Sequence, residues 1–360
     1  MNTIFNILDY GAIGDGKTIN TSSIQKALDE ASLCEGKVVF PPGKYLTGSL
    51  KIKGKGVTIE GSASWSYRGL GGSILTLIND DNDYLLDITG SFGCSILNMN
   101  LTMNINTNKI IHGIKLYWDK YNGGSEEDTP KIDGCKISNF TGDGIHFKHV
   151  WCFSVRHSML AYNKGNGIYI DGWDGFILDN WFSYNEGYGL LGGDVLASIS
   201  ATGNRVEWNK LGGFKIPFGD SFNITGNFFD RGEGPAITLG GEKGVSLATI
   251  TSNIFRRPGA SKNLIDEYDS SHLRITNSTN ITVTSNTMRV GRNDGGGGIL
   301  SPNYGFVIRN CNNCIITNNT MEKGVLKELL VLENNTNCII ENNIGSITDE
   351  SYTTGSSLLN

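Results

Sequence analysis

Asn180-Trp-Phe, Asn204-Arg-Val, Asn227-Phe-Phe, Asn253-Ile-Phe, Asn286-Thr-Met, Asn319-Thr-Met and Asn343-Ile form a series along the second half of the chain. Successive asparagines stand 24, 23, 26, 33, 33 and 24 residues apart. A recurrence every ~20–50 residues marks a solenoid, propeller or array. Beside the rungs lie short alternating runs such as Asn166-Gly-Ile-Tyr-Ile-Asp and Gly213-Phe-Lys-Ile, which read as strands. The commonest unit is too short for a propeller blade and lacks the leucine spacing of leucine-rich repeats. It suits the coil of a parallel β-helix, in which inward asparagines at equal turns hydrogen-bond from coil to coil. The asparagines are therefore read as scaffold.

Composition agrees. Glycine supplies 48 of 360 residues and proline only 7, a turn-rich all-β balance. Net charge is −6 with a pI of about 5.5, so no basic footprint points to nucleic acid. No apolar run approaches the ~18 residues that suggest a membrane span. Met1-Asn-Thr-Ile-Phe-Asn-Ile-Leu lacks a positive n-region, so no secretory signal is expected. A cytoplasmic protein, a phage-particle component and a trimmed secreted protein all fit that start. Of seven cysteines, Cys94, Cys135, Cys152, Cys314 and Cys338 each open a strand in the repeat. They read as a ladder of small buried thiols, not as a metal cluster.

Residues 20–31 carry the one helical pattern, with Ile24, Ala27, Leu28 and Ala31 on one face and Asn20 or Thr21 as cap. A solenoid needs such an atypical terminal unit to cover its open end. The expected organisation is one domain over 1–360: a cap over 1–35, coils over 36–345 and a tail over 346–360. Insertions break the period at 62–73, 116–130, 257–271 and 290–304. In solenoids they tend to emerge on one face, often the binding face. The last two, which include Asp294-Gly-Gly-Gly-Gly, are expected to form one wall of a groove.

The segment Asp9-Tyr-Gly-Ala-Ile-Gly-Asp-Gly-Lys-Thr-Ile-Asn-Thr-Ser-Ser-Ile-Gln-Lys-Ala-Leu-Asp resembles the start of pectate lyase superfamily proteins. The resemblance implies a right-handed single-stranded parallel β-helix with an N-terminal capping helix. It covers polygalacturonase-like glycoside hydrolases and phage tailspike depolymerases, and it implies a polysaccharide partner and the option of a homotrimer. The Asn-Thr-Asp, Asp-Asp, Gly-His-Gly and Arg-Ile-Lys segments of polygalacturonases do not occur here in order. Asp143-Gly-Ile-His146 is only superficially similar to the histidine segment.

Counting three places past each rung gives the column Ser183, Glu207, Asp230, Arg256, Arg289 and Glu322. Alternation turns this column out of the core if the asparagines point in. Glu207 and Asp230 then become neighbours, the carboxylate pair that glycoside hydrolysis requires. Both are expected to be catalytic, together with Asp194. Trp208, Tyr169, Lys215, Arg256, Asp171, His146 and Arg231 are expected to bind sugar through ring faces and charges. The expected activity is hydrolysis of a polysaccharide, glycoside hydrolase-like and cofactor-free. A lyase that uses calcium and an arginine base is the alternative, with intramolecular glycosyl transfer as a variant. A non-catalytic glycan-binding spike component is the third option, with Trp65, Trp118 and Trp173 available for a subunit interface.

Overall fold

The computed structural model describes residues 3–67, 69–120, 126–259, 264, 266–289 and 302–347. The chain groups into two compact units, Met1–Trp181 and Phe182–Asn360. Each is a stack of coils built from parallel strands.

In the first unit three columns of strands pair coil to coil. One runs Lys37–Val39, Thr58–Glu60, Ser95–Leu97 and Lys131–Asp133. A second runs Gly43–Thr47, Leu70–Leu77, Asn100–Met103, Lys136–Ser138 and Met159–Ala161. The third runs Leu50–Lys51, Tyr84–Asp87 and His112–Tyr117. The strand Ile145–Arg156 is long enough to pair with both the first and third columns, and Ile168–Leu178 continues it. Insertion 62–73 adds a strand, Ala63–Trp65, antiparallel to Leu70–Leu77.

The helix Thr21–Ala31 covers the first coil, and Ile24, Ala27, Leu28 and Ala31 are fully buried. Asn20 precedes it but does not cap it with its side chain. The Asn20 amide instead accepts from Ile13 N–H at 2.7 Å and donates to Thr18 O at 2.7 Å, pinning the glycine-rich turn. A side chain committed to that turn cannot also cap the helix.

In the second unit Tyr188–Thr202, Gly212–Thr225 and Ile237–Thr251 are long parallel strands. The sheet then splits into Ser271–Thr276 and Thr279–Thr284, followed by Tyr304–Arg309 and Ile315–Thr317 on the next coil. A second column of short strands runs Arg205–Glu207, Phe228–Asp230, Ile254–Arg256 and Thr287–Arg289. The central residues Val206, Phe229, Phe255 and Met288 point inward and are buried. Phe229 and Phe255 stack at 5.4 Å. Burying each such ring contributes about 1.5–3 kcal/mol.

The asparagine rungs bond as the repeat implies. Asn253 accepts at Oδ1 from the Asn227 N–H at 2.9 Å and the Asn227 amide at 3.0 Å. Its own amide donates to Ile224 O at 2.9 Å and to Asn286 Oδ1 at 3.0 Å. In this unit the residue before each rung bends left-handed: Gly203, Gly226, Ser252, Ser285, Asn318 and Asn342 all have φ between 53° and 72°. Glycine and asparagine take that conformation most readily. A second ladder, missed in the sequence, joins Asn185 to Asn209 Oδ1 at 2.9 Å. Asn253→Ala is expected to leave several buried polar groups unpaired, at about 1–3 kcal/mol for each one orphaned. Urea unfolding checks this, and an unchanged midpoint would contradict it.

All seven cysteines are free thiols. Cys94, Cys135, Cys311 and Cys314 are buried, and burial pushes the Cys94 and Cys135 thiols up to about 12. Cys152 and Cys338 are only half-buried, and Cys152 departs further from the expectation. It lies inside the strand Ile145–Arg156 at φ 55°, because two short strands have fused there. Among the described residues no helix is long and apolar enough to cross a membrane. The 290–301 part of the last insertion, with Asp294-Gly-Gly-Gly-Gly, and residues 348–360 of the expected tail lie outside the described residues.

Candidate functional site

In the second unit the column counted from the rungs is in register. Glu207 pairs with Asp230, Asp230 with Arg256, Arg256 with Arg289 and Arg289 with Glu322. Its surroundings differ from the expected sugar-binding face. Glu207 is 4% exposed and Asp230 1%. Both leave the apolar core, as alternation requires, yet other side chains cover them.

The cover is arginine. Arg257, fully buried, donates from Nε to Asp230 Oδ1 at 2.8 Å and from Nη2 to Oδ2 at 2.7 Å. Arg231 donates to the same Oδ2. Arg205 Nε donates to Glu207 Oε2 at 2.9 Å. Burial raises the Asp230 carboxyl above the ordinary aspartate value, against the pull of Arg257, Arg231 and Arg256. The Arg231 guanidinium lies 4.8 Å over the Trp208 ring, which stacks on Tyr184 at 5.5 Å. Tyr184, Trp208, Arg231 and Arg257 hold φ of 55°, 59°, 54° and 62°. Bulky residues rarely adopt such values. The left-handed bend folds these side chains back over the carboxylate column.

An open site lies elsewhere on the second unit. A cleft of about 620 Å³ is lined by Tyr188, Lys210, Lys215, Glu233, Asp269, Arg274 and Arg309, among others. Register explains several of these: Lys215 pairs with Thr238, Thr238 with Arg274, and Thr276 with Arg309. Arg274 donates to Asp269 at 2.6 Å and to Asp266 at 2.7 Å. Partial burial raises the Asp266 carboxyl, but the Tyr268 N–H and Arg274 outweigh it and hold it below its ordinary value. Arg309 pairs with Glu333 at 2.6 Å. Lys215 donates to the Tyr188 hydroxyl at 3.2 Å. Glu233 is exposed, and its carboxylate has no hydrogen bond or ion pair among the described residues.

Asp194, by contrast, is exposed on Tyr188–Thr202 and is not among the residues lining this cleft. Arg256 is half-buried in the column beside Asp230.

Three of the expected residues fall in the first unit. His146 pairs in register with Lys115 and with Tyr169, whose ring stacks on it at 4.6 Å. Asp143 Oδ2 accepts from His146 Nδ1 at 2.8 Å, and the Asp143 N–H donates to His112 Nδ1 at 2.9 Å. Burial and the neighbouring His146 push His112 down to about 4. Burial raises the Asp143 carboxyl, but the His146 hydrogen bond, His112 and Asn166 hold it below the ordinary range. Asp171 is 2% exposed, with His149 Nε2 3.9 Å from its Oδ2. The tryptophans read as interface residues have partners within the chain. Trp118 donates to Asp128 at 2.9 Å, and Trp173 packs 6.4 Å from Trp151. The side chain of Trp65 lies outside the described residues.

The sequence reading missed Asp269, Arg274 and Arg309, although extending the His146–Tyr169–Lys215 column by two coils reaches Arg274. It also missed the pairing of Asp143 and His112, which stand 31 residues apart across an insertion.

Residues 4–212 match the family model of rhamnogalacturonase A/epimerase, pectate lyase-like proteins, and residues 143–345 match that of the right-handed β-helix region. The chain belongs to the pectate lyase-like, right-handed β-helix family. Within that family it is 31% identical over 183 residues to the tail spike protein of Shigella phage Sf6, covering 45% of this chain and 29% of that protein. It is 42% identical over 66 residues to the exo-poly-α-D-galacturonosidase of Dickeya chrysanthemi, covering 16% of this chain and 11% of that enzyme. These matches span less than a third of either relative's own length. Among solved structures, the A-module of the mannuronan C-5 epimerase AlgE6 from Azotobacter vinelandii superposes with a TM-score of 0.69 at 16% identity, covering 96% of this chain and 100% of the module. That similarity is one of fold.

Proposed function

We propose that this pectate lyase-like chain is a carbohydrate-active enzyme that hydrolyses glycosidic bonds of a polysaccharide in the cleft of its second unit. The observation that carries the reading is the cleft itself. It sets the Glu233 carboxylate, which has no ion pair among the described residues, and the paired carboxylate of Asp269 among four cations and the Tyr188 ring. Carboxylates in unlike surroundings supply the acid and the base of glycoside hydrolysis, and ring faces with cations bind sugars. A relative named as a poly-galacturonosidase supports a glycosidic substrate. Arg274 and Arg309 are matched by Asp266, Asp269 and Glu333, but Lys210 and Lys215 line the cleft with no ion pair among the described residues, although the chain as a whole is acidic. That balance favours a negatively charged glycan.

In this reading Glu207 and Asp230 are not the reacting pair. Both oxygens of Asp230 already accept from Arg257, and Glu207 is tied to Arg205. The same bonds count against the calcium-assisted elimination weighed for these residues. Calcium takes 6–8 oxygen ligands, and arginine holds Glu207 and Asp230, two of the three carboxylates expected to supply them, leaving only the exposed Asp194.

The test is a product assay on polygalacturonate, alginate and neutral glycans. Hydrolysis predicts reducing ends without ultraviolet-absorbing unsaturated products, and more of them from the acidic glycans. Unsaturated products that vanish with a chelator would establish elimination instead. Binding to glycans with no product would assign the chain to non-catalytic recognition.

A further inference from the structure

One cluster of the first unit takes no part in the reading above. His112, Asp143 and His146 offer three donor atoms within 4.8 Å of one another. We propose that these residues bind a divalent transition-metal ion of the zinc or cobalt type.

Bonds of about 2.0–2.2 Å to nitrogen and oxygen, at angles of about 90–110°, place the donors of one such ion about 2.8–3.6 Å apart. Asp143 Oδ2 lies 2.8 Å from His146 Nδ1 and 3.4 Å from His112 Nδ1. A carboxylate–imidazole hydrogen bond accounts for the first distance. The Asp143 N–H bond to His112 Nδ1 at 2.9 Å holds the second imidazole beside the same oxygen, so all three donors stand together before any ion binds.

The surrounding shell is built. Asp143 Oδ1 accepts from Asn166 N–H at 2.7 Å and from its side-chain amide at 2.8 Å, which fixes the carboxylate and leaves Oδ2 facing the rings. Outer partners of this kind are what orient metal ligands. The His146 ring is packed between His112 at 4.2 Å and Tyr169 at 4.6 Å, so binding has little left to order. Neither imidazole has a partner at Nε2 among the described residues, so each ring can carry its proton there while Nδ1 coordinates.

Two hydrogen bonds give way on binding: His146 Nδ1–H to Asp143, and Asp143 N–H to His112. The nearby cation Lys115 is matched by Asp83 at 2.7 Å. Two imidazoles and one carboxylate suit zinc, cobalt or nickel, whereas calcium and magnesium take oxygen ligands. Three protein ligands leave a fourth position for water or a substrate oxygen.

Chelator-treated full-length protein is titrated calorimetrically with zinc, cobalt and calcium chlorides, and the cobalt complex is followed by visible absorption. One zinc or cobalt ion per chain is expected, with no heat from calcium. His112→Gln and His146→Gln should each weaken binding by more than about 100-fold, beyond the ~10–100-fold that losing a supporting partner costs. Asn166→Ala, which removes such a partner, should fall within that smaller range. Thermal melts of the metal-free variants confirm that each remains folded. The seven thiols are the rival ligands. Binding that survives both histidine substitutions, or that shows thiolate charge-transfer bands, would overturn the proposal. So would the absence of any binding at millimolar cobalt. Because no sugar enters this experiment, its outcome is independent of the polysaccharide reading.

Discussion

Arg257→Ala is expected to destabilise the protein by about 3–5 kcal/mol, the usual cost of breaking one side of a buried ion pair. Arg257 is wholly buried, and Asp230 is 1% exposed. Removing the guanidinium takes away two hydrogen bonds at 2.8 and 2.7 Å and leaves a buried carboxylate without its main partner. Arg231 still reaches Oδ2 but cannot replace the fork. Lysine at 257 is expected to recover little, since an ammonium cannot donate bidentately. The double substitution Asp230→Leu with Arg257→Met should recover most of the loss, because a well-packed apolar pair often equals a buried ion pair. Urea unfolding of the single and double variants closes the cycle. A single variant as stable as the wild type would show that the pair carries no structural weight. Any loss of activity on changing Asp230 could then no longer be attributed to lost stability.

The carboxylate column shows where sequence stops being informative. Its register was legible because it is one-dimensional: a coil returns after a fixed number of residues, and alternation says which side of the strand each residue takes. Glu207 and Asp230 are neighbours for that reason. Alternation does not say whether an outward residue meets water. Arg257 decides that here, through a left-handed bend at φ 62° and a long side chain that folds back over the preceding coil. Neither is written in the local pattern, since arginine at a left-handed corner is not a recognisable signal in the way Gly203 or Asn318 is.

The helix was legible in its buried face but not in the use of Asn20. A side chain with several donors and acceptors can satisfy either the helix end or the preceding turn, and the turn takes it here. The cleft was legible in part. Lys215 was found from its column. Asp269 comes from the insertion at 257–271, whose path is set by contacts and not by period. Arg274 and Arg309 lie on coils lengthened by insertions, where counting by the commonest spacing loses the register.

Glu233→Gln should lower turnover by about 10²–10⁴-fold, the range that a positioned acid or base contributes. The substitution keeps the size of the side chain and removes only its ability to hold or take a proton. Glu233 is exposed and makes no side-chain bond among the described residues, so unfolding should shift by no more than about 0.5 kcal/mol. KM should change little, because the amide still accepts a hydrogen bond from a sugar hydroxyl. This separates Glu233 from Lys215, whose replacement by alanine should raise KM for an acidic glycan with a smaller effect on turnover. The contrast with Asp230 is equally direct. There activity and stability should fall together, whereas at Glu233 activity alone should fall. Full turnover in a folded Glu233→Gln protein would remove the Glu233 carboxylate from the chemistry. The acid–base work would then belong to another group, with Asp269 next in line, since it also lines the cleft.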